Sequence, residues 1–152
     1  MTTSHAPIRV FLLSDSRFVR EALARVMRKA ADIVVADARP YSVDVPAAII
    51  DSSCDVLLTD SASLLALDSQ ASDRLRSSLS QLKVVVIEID DDESVFSKLA
   101  RKGVMAYLLK HAAVADVVPT VRSVVRGEIG YPPRFGMLRR PGEVSGLDPS
   151  GP

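Results

Sequence analysis

Apolar residues in this chain follow two alternating rhythms. Short runs at Ile8–Leu13, Val56–Thr59, Lys83–Glu88 and Val104–Leu109 have the length of strands and are rich in β-branched residues and leucine. Between them, apolar positions recur every three or four residues. Phe18, Val19, Ala22, Leu23, Val26 and Met27 thereby mark one face of a helix. Ile33–Ala36 reads as a short second strand, and Pro40 and Pro46 interrupt the pattern before a short helix around Val45–Ser52. A polar, Ser-rich helical stretch then runs from Asp60 to about Leu82. Asp91–Lys102 reads as the next helix, closed by Gly103, a residue favoured just past helix ends. Val114, Val117, Val118, Val121, Val124 and Val125 mark the last helix, which ends at Gly127. Pro119 falls about a turn and a half inside it and predicts a local kink.

Strands alternating with helices imply right-handed crossovers and a doubly wound α/β fold. The expected architecture is a five-stranded parallel sheet of flavodoxin-like order 2-1-3-4-5, flanked by five helices. Strands 1 and 3 then meet at the switch point, and ligands bind beyond the carboxyl ends of the strands. Three charged residues close three of the strands: Asp15, Asp60 and Lys110. Two carboxylates and an ammonium at one edge suit a small oxygen-liganded cation and a phosphoryl group. Strand ends are exposed, so any one of these charges is unremarkable. All three at matched ends point to a site.

With 152 residues, the chain is expected to form one domain over residues 1–130. Residues 131–152 hold five prolines and several glycines without apolar periodicity, which reads as a flexible tail or linker. Lys plus Arg equals Asp plus Glu, which argues against binding nucleic acid through phosphates alone. Arg134, Arg139 and Arg140 read as solvated tail residues. The one cysteine, Cys54, rules out an internal disulfide and suits a reducing cytoplasm. It reads as a small, half-buried residue. No run approaches the roughly 18 apolar residues of a membrane span, so a cytoplasmic location without membrane contact is expected. Asp90-Asp91-Asp92-Glu93 reads as a first helical turn whose acids complement the dipole. His5 and His111 have no partner at metal spacing. Neither a glycine-rich phosphate loop nor a nucleophile–base arrangement stands out, and no enzyme activity is expected.

The segment from Ile8 through Ser14-Asp15-Ser16 to Leu23 resembles the opening of a response-regulator receiver domain. Gly103-Val104-Met105-Ala106-Tyr107-Leu108-Leu109-Lys110 and Val121–Glu128 are similar to its NarL/FixJ branch. The resemblance covers about residues 8–130. It implies a CheY-like fold and a place in two-component phosphorelay signalling, with a histidine kinase or other phosphodonor as partner. It implies that Asp60 is the phosphoacceptor and Lys110 the phosphate contact, with Tyr107 as switch aromatic. It further implies that Mg²⁺ is held by Asp15, Asp60 and the backbone carbonyl of Ala62. Such a domain would come from a transcription regulator whose DNA-binding module is absent here, so no direct DNA contact is expected.

The chain also departs from that family. Ser14 stands where a second acid is usual, and Ser61-Ala62-Ser63-Leu64 lacks the proline and glycine that shape the loop after the acceptor. Glu88 replaces the Ser or Thr that would bond a phosphoryl oxygen, and its carboxylate is expected to pair with Lys110 and repel phosphate. The Mg²⁺ site is therefore expected to be weakened and the receiver atypical. Two alternatives remain: a phosphorylation-independent pseudo-receiver acting as an interaction module, and a small flavodoxin-like enzyme or cofactor binder. Valines over more than one face of the last helix, with strand 5 and Tyr107, are the expected homodimer interface.

Overall fold

The computed structural model describes residues 6–89, 92–110 and 112–128, without the side chains of residues 88, 89 and 93. Its elements are β1 (Ile8–Leu13), α1 (Arg17–Arg28), β2 (Ile33–Arg39), α2 (Val45–Ser52), β3 (Val56–Asp60), α3 (Ser61–Ala66), α4 (Ser69–Ser78), β4 (Lys83–Ile89), α5 (Glu93–Ala100), β5 (Val104–Leu109) and α6 (Val117–Val125). The strands pair in parallel in the order β2-β1-β3-β4-β5. Leu13 stands level with Thr59, Thr59 with Val86, and Val86 with Tyr107. That register aligns the carboxyl ends of β1, β3, β4 and β5 along one edge. The domain boundary expected at residue 130 and the tail beyond it lie outside the described residues.

Both faces of the sheet are covered, which is why its central strands read as near-continuous apolar runs. Val10, Leu12, Val56, Leu58, Val85 and Ala106 face α1 and α6. Phe11, Leu13, Leu57, Val86, Val104 and Tyr107 face the layer of α2 to α5. Cys54 is buried in the second layer, and burial pushes its thiol pKa up. A thiol kept protonated there is a packing residue.

Among the described residues six helices flank the sheet where five were expected. The polar stretch after β3 breaks at Leu67-Asp68, where Leu67 turns extended and buries its side chain. Asp68 then caps α4, its carboxylate accepting from the Ala71 N–H at 2.8 Å. The Pro119 kink gives way to a simpler arrangement. Val114–Asp116 form a 3₁₀ turn, α6 starts at Val117, and Pro119 lies in its first turn. N–H groups there lack helical partners, so proline is tolerated without a bend.

The last helix divides its valines between core and surface. Val117, Val118, Val121 and Val124 are buried in the core, and Tyr107 is only 3% exposed. Of the valines considered, only Val114 and Val125 are exposed. Val114 and Val125 are what this segment leaves at the surface for a contact.

Arg122 of α6 grips Asp32 of the α1–β2 loop with two hydrogen bonds, at 2.9 and 2.8 Å. This bidentate pairing holds the Asp32 carboxyl below the usual carboxylate range, with partial desolvation opposing. A depressed folded-state pKa contributes stability above the unfolded pKa, and that contribution is lost as pH falls through the folded value. In an NMR pH titration, the Asp32 carboxyl should titrate lower in wild type than in Arg122→Gln. Equal midpoints would rule the coupling out.

Candidate phosphoryl-acceptor site

The site grows out of β1, β3 and β5. Each strand runs out of apolar residues at the same edge and leaves a charged residue there: Asp15 two positions past β1, Asp60 at the end of β3, and Lys110 one past β5. β1 and β3 are neighbours, about 4.8 Å apart, whereas β5 is two strands from β3, about 10 Å away. A lysine stem spans much of that distance. Asp15 and Lys110 are exposed and Asp60 is half-buried.

Asp60 already has a structural task. With extended backbone (φ −86°, ψ 167°) it is the N-cap of α3, and its Oδ1 accepts from the Ser63 N–H at 2.8 Å. Acid followed three residues later by a free N–H is the usual way to satisfy a helix's first orphan donors. Thr59 Oγ1, fully buried, donates to the Asp60 carbonyl at 3.1 Å and fixes the turn from below. The short helix is also held at its far end, where Lys102 donates its ammonium to the Leu67 carbonyl. Desolvation lowers the Lys102 pKa, while Asp68 opposes the shift.

Asp15 is engaged as well: its Oδ1 accepts from the Tyr41 N–H at 3.0 Å, tying the β2–α2 loop to the site. Ser14 occupies the place of a second acid and is buried instead. Its Oγ accepts from the Ser16 N–H at 3.2 Å, and its carbonyl accepts from Arg20 Nη1 at 2.6 Å. Ser16 in turn caps α1 through the Val19 N–H.

Of the expected magnesium ligands, the Ala62 carbonyl is overturned. Ala62 lies inside α3, which starts immediately after Asp60, and helical carbonyls point toward the helix C-terminus, away from this edge. Without the usual proline and glycine, the loop that would present that carbonyl is replaced by helix. Asp15 and Asp60 each hold one backbone N–H, and no group of three His, Cys, Asp or Glu side chains among the described residues could hold a metal. Each carboxylate keeps further lone pairs, and one or two carboxylates with waters are what Mg²⁺ ordinarily takes, so Asp15 and Asp60 are the residues that would hold it.

Tyr107 packs on Phe96 of α5, with ring centroids 4.4 Å apart and planes tilted by 44°. The Glu88–Lys110 pairing lies outside the described residues, since only the backbone of Glu88 is described. Beside Lys110, a shallow apolar groove of about 130 Å³ runs between α1 and the turn before α6. Phe18 stands at its rim, 81% exposed. Sequence reasoning missed Tyr41 and Ser63, which act through backbone N–H groups that carry no side-chain signal.

Comparison with known proteins relates this geometry to a known fold. The receiver domain of the putative response regulator NarL from Mycobacterium tuberculosis superposes with a TM-score of 0.71 at 21% identity, covering 82% of this chain and all of that one. The receiver domain of RcsB from Salmonella enterica, in the presence of the phosphomimetic BeF3⁻, superposes with a TM-score of 0.69 at 14% identity, over 88% of this chain and 99% of that one. In sequence, the transcriptional regulatory protein LiaR of Bacillus subtilis is 32% identical over 124 residues, 80% of this chain and 57% of LiaR. Response regulator UvrY of Escherichia coli is 25% identical over 121 residues, 80% of this chain and 56% of UvrY. The fold is that of response-regulator receiver domains. No family model matches it. The chain spans little more than half the length of the curated relatives it matches. Among the described residues, no helix is long and apolar enough to cross a membrane.

Proposed function

We propose that this receiver domain takes a phosphoryl group on Asp60 and belongs to a transcription regulator of the NarL type. The observation that carries the reading is the meeting of Asp15, Asp60 and Lys110 at one edge of the sheet, beyond β1, β3 and β5. In the transfer, an Asp60 carboxylate oxygen bonds to phosphorus as the P–N bond to a kinase histidine breaks. The imidazole nitrogen keeps the electron pair and takes a proton. Lys110 offers a cation to the phosphoryl oxygens. The domain acts as a signalling module and not as an enzyme, works in the cytoplasm, and leaves DNA contact to other modules.

A second reading, a receiver that acts by protein contact without phosphate, is favoured by one observation. The Asp60 carboxylate is already engaged as the cap of α3, and the Ala62 carbonyl lies inside that helix. Labelling with a small-molecule phosphodonor separates the two. Label on Asp60, lost in Lys110→Ala, supports the first reading; a chain that stays unlabelled at saturating donor supports the second.

Glu88 sets the expected rate. The sequence carries an acid near the end of β4, and negative charge at that strand end would oppose an incoming phosphoryl group. Glu88→Thr should therefore raise the rate of labelling. Equal rates in wild type and variant would remove Glu88 as the obstacle.

A further inference from the structure

The net charge of this chain is zero, yet its charges are sorted across one edge of the sheet. On one side of edge strand β2, a groove beside α1 gathers Arg17, Arg20, Arg25, Arg28 and Lys29 against a single carboxylate, Glu21. Glu21 is already bound to Arg17 at 2.8 Å. On the other side of the same strand, a concavity beside α2 gathers Asp37, Asp44 and Asp51 against Arg39. Arg39 is already bound to Asp37 at 2.7 Å. What remains on each side is unbalanced and of opposite sign.

We propose that these two surfaces bind each other between copies of the chain, the α2 ridge of one copy lying in the α1 groove of the next. The spacing fits. Asp44, Ala47 and Asp51 form one stripe along α2, with acids seven residues, about 10 Å, apart. Arg17 and Arg25, or Arg20 and Arg28, stand eight residues, about 12 Å, apart on α1. Ala47 at the centre of the acidic stripe, and Ala24 and Ala38 in the basic groove, let the two backbones approach closely. Asp44 makes no side-chain cap bond to α2 and is available to a partner.

The contact is head-to-tail. A two-fold, antiparallel joining of two β2 edges would keep each face on its own side, setting α1 against α1 and α2 against α2, like charge on like. The edge is also blunted against pairing: its register shifts opposite Val10/Phe11, and the Asp37 carboxylate occupies the Ala38 N–H at 2.8 Å. A heterologous contact uses two different patches and leaves one of each open at the ends of the assembly.

Sedimentation velocity of the intact chain and of variants with charges removed tests this. Wild type should associate with rising concentration at about 10 mM salt and become monomeric at about 1 M, where the Debye length falls from about 30 to about 3 Å. The variant Arg25→Gln/Arg28→Gln and the variant Asp44→Asn/Asp51→Asn should each stay monomeric at low salt. Mixed in equal amounts, they should form a dimer and nothing larger, because only one intact face of each kind remains. The quadruple variant, with zero net charge, should be monomeric alone and in either mixture. A wild type that stays monomeric at low salt, association surviving in either double variant, or a mixture that fails to dimerise would each overturn the proposal. Circular dichroism of these exposed-site variants confirms that loss of association is not loss of fold.

Discussion

Asp60→Asn should abolish phosphoryl labelling while leaving stability close to wild type, and Asp60→Ala should lose the label together with about 1 kcal/mol. The two variants separate two roles of one carboxylate. Asparagine keeps an acceptor oxygen for the Ser63 N–H, now 2.8 Å from Asp60 Oδ1, and ranks with aspartate as an N-cap. Its amide is no nucleophile toward phosphorus. Alanine removes both the nucleophile and the cap, and cap loss typically costs about 1 kcal/mol. In a chain of this size that difference shifts the thermal midpoint by about 2–4 °C. Mass spectrometry after donor treatment reads the label, and urea unfolding reads the cap. Label remaining in Asp60→Asn would put the acceptor elsewhere. Equal stabilities of the two variants would show that α3 does not depend on Asp60.

The dual role matters for how the domain responds to a signal. Were the capping Oδ1 itself to take the phosphoryl group, it would stop being a simple acceptor for Ser63 and the first turn of α3 would loosen. α3 has only six residues, and its stability rests on its ends more than on its length. It is held at one end by Asp60 and at the other by Lys102. Tyr107, by contrast, is already buried against Phe96. A signal carried by turning Tyr107 inward would have little distance left to travel, whereas one carried by α3 would have a whole cap to release.

The sheet was legible in the sequence because each strand carries its own apolar run. The bounds of β5 match the expected Val104–Leu109, and β4 extends Lys83–Glu88 by one residue. The order of the strands was legible for the same reason, since alternation with helices leaves few topologies. What escaped depends on competition between local signals. The Ser-rich stretch after Asp60 looked like one polar helix because its apolar positions, Leu64, Leu67 and Leu75, do not mark where a helix restarts. Asp68, three residues ahead of the Ala71 N–H it accepts from, was the available sign. The valines of α6 were ambiguous in another way. A β-branched residue on any face of a helix looks like a candidate interface until the neighbouring layer is known, and here α1 and the sheet take up Val117, Val118, Val121 and Val124. At the site, the positions of Asp15, Asp60 and Lys110 followed from strand ends alone. The direction of the Ala62 carbonyl did not, because it depends on whether the chain after Asp60 loops or coils. The missing proline and glycine signalled a departure without showing its shape.

Phe96→Ala should destabilise the domain by about 3–5 kcal/mol, the largest effect expected of any substitution outside the site. Phe96 is fully buried and is the one residue of α5 that reaches across to β5 by ring contact, stacked on Tyr107 at 4.4 Å. Truncation removes most of a phenyl ring, leaves a cavity between Leu99 and Tyr107, and forfeits an aromatic pair worth about 0.5–1.5 kcal/mol beyond area. Phe96→Leu keeps much of the volume and should cost well under half as much. The chain contains no tryptophan and only three tyrosines, so near-ultraviolet circular dichroism reports tyrosine environments almost alone. Phe96→Ala should lose much of that signal in the folded state as Tyr107 gains freedom, while the far-ultraviolet spectrum of the strands and helices persists. A cost below about 1 kcal/mol would mean that the layer of α2 to α5 does not close over the sheet as described. A full cost with an unchanged tyrosine signal would mean that β5 alone holds Tyr107 inward, without help from α5. Because Tyr107 is buried before any phosphate arrives, its position is set by this packing, and Phe96 is the residue through which a change at α5 would reach it.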